Sequence, residues 1–189
     1  MSILLRLKHW QLFGLLIGIP FVIQIIGILS IVLAQNQIMM FAMFPLIIIS
    51  FTGVFFGWFY AMAVYLNKKL PDTVRIKLTK FKLSLLFPIV YIVFFTIFMS
   101  GTFGNLIGGG DSNNTIQPGI FGIILPFHFF SMFCIFYCIY FCAKSIKTVE
   151  LQRHVAFNDY AGEFFLICFF PIGVWFIQPR INKLFNAEN

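Results

Sequence analysis

The stretch EFFLICFFPIGVWFIQPRIN, residues 163–182, decides the architecture. It is apolar enough to enter a bilayer, yet Pro171 and Gly173 interrupt it near the middle. If it crosses, its two ends lie on opposite faces of the membrane; if it enters and returns, they share one face. Its uninterrupted apolar part, residues 164–177, makes about 21 Å of helix at about 1.5 Å per residue, against a hydrocarbon core of ~30 Å. Pro171 removes a backbone donor, and Gly173 permits a sharp change of direction. A return carries one constraint: irregular backbone at depth must pack against protein or stay near the interface. Starting instead at Tyr160 and running to Gln178 gives a tilted short span that holds Glu163 at headgroup level. The sequence therefore favours a re-entrant or interfacial segment over residues 161–178, with a short fifth span as the alternative.

Working outward, four uncharged runs precede this segment, at about 12–33, 44–66, 83–103 and 120–143. Each reaches the roughly 20 residues that a transmembrane helix requires. Of the 189 residues 60% are hydrophobic and only 10% charged, whereas a soluble domain carries about 25% charged residues. The 28 Phe would overfill a water-soluble core, but acyl chains solvate them freely. The expected fold is an all-α integral membrane protein: a bundle of four transmembrane helices plus the broken fifth segment, in a single multi-pass domain over 1–189. Pro20, Pro45, Pro88 and Pro126 fall within or at the ends of the runs, where neighbouring helices can satisfy the freed carbonyls. The first run is too long for the roughly 7–15 residue core of a signal peptide and is read as a retained anchor.

Charge then orients the bundle. All 13 Lys and Arg lie in the N-terminus, the loop before the third run, the link 144–160 and the C-terminus; the other two connections hold none. By the positive-inside rule the N-terminus is cytoplasmic, and the uncharged connections face outward. If residues 161–178 return, every cation stays on one side. The net charge of +7 comes without a Lys/Arg-rich, aromatic-interleaved helix, so anionic lipid at the basic loops, not nucleic acid, is the expected partner. The composition suits a bacterial inner membrane. The link KSIKTVELQRHVAFNDYAG either continues the fourth helix or lies as an amphipathic helix on the surface, with Asn158 or Asp159 capping the last segment.

Five polar residues are candidates for chemistry. Glu163 starts the broken segment, where half-helix ends line transporter sites, although a first-turn acid at the headgroups is the simpler reading. His128 is the one His inside a run and has no second His at depth for a haem. Glu150 and His154 stand four apart, half of a metal site or a surface pair, and Asp159 lies nearby. Cys134, Cys138 and Cys142 share a helix face but cannot converge on one ion, so no metal and no cofactor is expected. Gly14, Gly18, Gly53 and Gly57 form two GxxxG pairs that would let the first two helices approach closely, or drive oligomerisation. Gln24, midway along the first run, would hydrogen-bond a neighbouring helix.

No nucleophile elbow, phosphate loop, HExxH or dinucleotide fingerprint occurs, and the four runs hold no Asp, Glu, Lys or Arg. A non-enzymatic scaffold or accessory subunit of a membrane complex fits best, with a membrane-protein partner or a second copy. The alternatives are a small transporter or channel using Glu163, or an interfacial enzyme acting on a lipid-linked substrate.

Overall fold

The computed structural model describes residues 3–35, 37–71, 73, 74, 76–107 and 118–186. Among the described residues the chain is all helical, with no strand. It opens with α1 (Ile3–Arg6) and α2 (His9–Phe13), passes through a π-helical turn (Gly14–Gly18) and continues as α3 (Ile19–Ala34). The wide turn precedes Pro20, whose ring cannot donate to the carbonyl four residues back. The Ile19 N–H reaches Gly14 O instead, five residues behind, so the helix bulges where it would otherwise break.

Three long helices follow: α4 (Gln37–Asn67), α5 (Leu78–Ile107) and α6 (Pro118–Leu151). With the first helical run they supply four segments long and apolar enough to cross a membrane: His9–Leu33, Met43–Asn67, Leu78–Thr102 and Gly122–Leu151. The helices outrun the apolar stretches. α4 begins at Gln37, so most of the expected first connection is helical and the turn is made at Gln35 in the left-handed region, φ 50°. The middle of the second uncharged connection, residues 108–117, lies outside the described residues.

Successive helices alternate in direction. Two hydrogen bonds fix the register of α4 against α6. The Cys142 thiol donates to Phe59 O and Gln152 Nε2 donates to Lys69 O, each across 83 positions, so these helices run parallel. α5 runs against α6, pairing Phe81 with Phe141 and Phe87 with Phe130. α4 is the central helix, packing against α3, α5, α6, α1 and α8. Its most apolar window is 44% buried, against 11–22% for the other three spans.

The buried core is one-sided. Trp58, Phe59, Met62, Leu66, Phe81 and Ile146 are fully enclosed, and all lie toward the end that carries Lys68, Lys82 and Lys144, here called the basic end. Toward the opposite, distal end the spans present Leu33, Leu46, Phe94 and Ile123 outward, as a lipid-solvated surface does.

What fills the basic half is a hairpin of α7 (Phe157–Cys168) and α8 (Phe170–Asn186). One continuous helix would hold Glu163 and Arg180 about 25 Å apart at about 1.5 Å per residue. Their side chains instead meet at 2.7 Å, so the chain reverses between them. Phe169, at φ −92° and ψ 55°, leaves the helical region and ends α7. Pro171 falls in the first turn of α8, where its missing N–H costs nothing. Gly173 is required for a different reason from backbone flexibility. A Cβ there would lie 1.6 Å from Leu166 O, so the two arms can close only over a residue without one.

The hairpin sits against α4. Phe170 packs edge-on to Phe51 and Phe55, deep in the bundle, while Phe185 reaches Tyr65 and Lys69 at the basic end. α8 thus runs from mid-bundle back to the basic end and never approaches the distal one. At the turn Phe170 packs on α4, while Phe169 and Ile172 beside it are exposed apolar side chains of the kind acyl chains solvate.

Of the two arrangements expected for the link 144–160, its first part takes the continuation of the fourth helix. α6 continues to Leu151 and stops where Gln152 takes φ 50°. A short extended piece then leads to α7, whose N-cap is Ala156 and not Asn158 or Asp159. Asp159, at the third helical position, accepts the Ala156 N–H at 2.9 Å, one half of a capping box.

Candidate functional site

α6, α7 and α8 meet at a four-charge cluster. Arg180 donates through Nε to Glu150 Oε1 at 2.9 Å and through Nη2 to Glu150 Oε2 at 2.6 Å, a forked pair, and reaches Glu163 Oε1 at 2.7 Å. Lys147 Nζ bridges the same two carboxylates, 3.2 Å from each. The planar guanidinium suits this position because one rigid fork serves two acids on different helices. Two cations and two anions cancel, so the cluster can be enclosed without an uncompensated charge.

Glu163 is 5% exposed. Burial alone would raise its pKa, but the Arg180 hydrogen bond, backed by a backbone bond and by Lys147, holds it below the ordinary value. It is therefore not the first-turn acid expected from the sequence. It stands halfway along α7, facing inward, and Asp159 takes the first-turn place. Asp159 is held low by the Ala156 N–H and by Arg153, with which it forms an ion pair at 3.2 Å.

Glu150 and His154 do not form a helical pair. α6 ends between them, Glu150 turns to Arg180, and His154 Nε2 lies 3.1 Å from Thr73 O across the loop before α5. Among the described residues no three His, Cys, Asp or Glu side chains gather as a metal site. The cysteines are all free; Cys134, Cys138 and Cys142 are buried along one face of α6.

Sequence reasoning passed over the second hub, Gln178. This side chain is fully buried at the end of an apolar run. Its Oε1 accepts Trp58 Nε1–H at 2.9 Å, and its Nε2 donates to Leu7 O at 2.8 Å and Leu4 O at 3.1 Å. Asn182 Nδ2 adds a bond to Leu7 O at 3.1 Å. Being only four residues long, α1 has no helical donors for these carbonyls, and the amides of α8 supply them. The Trp175 ring lies 4.7 Å from that of His9, tilted by 50°, so α8 ties the N-terminal segment to the bundle. A lone Gln between apolar residues and Pro-Arg was the available signal.

The glycines behave unequally. A Cβ on Gly57 would meet Leu4 Cδ1 at 3.2 Å, so this glycine seats α1. At Gly14, Gly18 and Gly53 a Cβ would meet nothing within 4 Å, and α3 and α4 pack together without backbone contact at these positions.

Gln24 and His128, from α3 and α6, instead face a cavity of about 500 Å³ in the distal half, with Phe44, Tyr91, Phe95 and Thr96 among its lining. The Tyr91 hydroxyl lies 3.3 Å from His128 Nδ1. The interhelical bond expected of Gln24 is absent among the described residues.

Compared with family models, with curated proteins and with solved structures, the chain gives no match to any of the three.

Proposed function

We propose that this protein is a non-catalytic membrane subunit, a four-span frame whose basic end offers a rigid platform to a second membrane protein and to anionic lipid. The observation that carries the reading is the neutral cluster at Glu163. A carboxylate that cycles protons in transport, or acts as a general acid or base, needs a pKa near the working pH. Glu163 is pinned in the opposite direction by two cations, which makes it a lock for the hairpin. Arg6, Lys8, Lys68, Lys77, Lys80 and Lys82 are exposed around the same end and suit headgroup phosphates. The basic end is taken as the cytoplasmic face of a bacterial inner membrane, with the N-terminus on that side, because cations resist translocation.

The test is a proteoliposome flux assay beside native mass spectrometry of the protein extracted in mild detergent. The expected result is a stoichiometric complex, with another membrane protein or a second copy, and no proton or ion flux that depends on Glu163. Flux abolished by Glu163→Gln in protein that remains folded would overturn the reading in favour of a transporter.

A further inference from the structure

The cavity of the distal half brings together polar side chains from three spans, away from the charge cluster. Gln24 lies near the middle of His9–Leu33 and Tyr91 near the middle of Leu78–Thr102, while His128 is two turns inside the start of Gly122–Leu151. At that depth a polar group without a partner is costly, because hydrocarbon offers no hydrogen bonds. Yet the Gln24 amide has no partner among the described residues, and His128 has only the long contact to Tyr91. Gln24 and His128 are exposed, so the cavity opens on the lipid-facing surface, where tails offer these groups no hydrogen bond.

The remaining walls say what would satisfy them. Phe44 and Phe95 join Tyr91 in the lining, and the Tyr91 and Phe95 rings stand nearly parallel, 17° apart at 5.8 Å. Flat aromatic faces favour a planar ring. No Lys, Arg, Asp or Glu lines the cavity, so a phosphate or ammonium head would be left without its counter-charge. The amide N–H₂, the imidazole and the phenol all can donate, which calls for carbonyl acceptors on the ligand. The volume lies within the roughly 300–1,000 Å³ of small-molecule sites.

We infer that this cavity binds the uncharged ring of a membrane quinone, its carbonyl oxygens accepting from Gln24 and from the Tyr91–His128 pair. The isoprenoid tail leaves between the helices into lipid. Binding alone is claimed, with no electron transfer.

The experiment titrates the full chain in nanodiscs with decylubiquinone by calorimetry, subtracting empty nanodiscs. Saturable binding near one per chain is expected, weakened about five- to tenfold by Gln24→Leu, Tyr91→Phe or His128→Phe, one hydrogen bond each. Phe133→Leu, on the lipid-facing side of α6, should leave affinity unchanged. Circular dichroism and gel filtration establish that each variant is folded; Tyr91→Phe, which removes one oxygen, guards against a folding artefact. Three outcomes overturn the proposal: uptake that rises linearly with lipid, equal affinity in the parent and all three cavity variants, or equal binding of decanol, which has the tail without the ring.

Discussion

Removing the charge of Glu163 tests the lock on the hairpin. Glu163→Gln keeps the shape of the side chain but deprives Arg180 and Lys147 of one anion, and Arg180→Gln removes the central cation. Breaking a fully buried ion pair costs about 3–5 kcal/mol. Here Arg180 is 32% exposed and keeps its forked contact to Glu150, so the loss for Glu163→Gln should fall to about 1.5–3 kcal/mol, the range for a hydrogen bond to a charged group. The assay is reversible unfolding in mixed micelles with increasing dodecyl sulfate, followed by tryptophan fluorescence, for both single variants and the double variant. The Glu163–Arg180 coupling should exceed about 1 kcal/mol, outside the ~0.3–0.5 kcal/mol scatter of independent sites. Acid should act in the same direction. A carboxyl whose folded pKa is lowered contributes stability that is complete above its ordinary value of 4.5 and is lost as pH falls through the lower folded value. The parent should lose stability below that point, and Glu163→Gln should lose less. A coupling indistinguishable from zero, with the same acid response in both proteins, would refute the lock.

Gly173→Ala should disrupt the hairpin by more than the roughly 1–3 kcal/mol of ordinary overpacking, because the obstruction is a backbone oxygen 1.6 Å away; faster proteolysis at residues 165–175 would report it. Gly53→Ala meets open space and should stay within about 0.5 kcal/mol of the parent in the same unfolding assay. Gln178→Leu strands the Trp58 indole and the Leu4 carbonyl, while Leu7 O keeps its bond from Asn182. It should cost about 1–3 kcal/mol for each group left unsatisfied, and release α1, seen as faster amide exchange over residues 3–8.

The four long helices were legible because span length and apolarity are local properties that add along the chain. The broken segment was legible in part: its short apolar run, Pro171 and Gly173 pointed to a turn. What made the turn stable was not. Arg180 read as one more topogenic cation, since nothing local to it names Glu150, thirty positions earlier, as its partner. The extension of α6 to Leu151 moved Glu150 toward that partner and separated it from His154, a tertiary outcome that i,i+4 spacing cannot foresee. GxxxG spacing states that two backbones are able to approach, not that they do, and only Gly57 is used, by α1. Gln178 was missed because a buried amide looks, in sequence, like the polar edge of an apolar run.

The contact between Glu163 and Arg180 requires residues 157–186 to enter and leave by one face. Asn158 and Lys183, exposed near the two ends of the hairpin, can each be replaced by Cys, and intact and inverted vesicles treated with a membrane-impermeant maleimide, with the parent as background. Asn158→Cys and Lys183→Cys should be labelled from the same face and protected from the other. Labelling from opposite faces would mean that the segment crosses, and the hairpin with its charge lock would have to be given up.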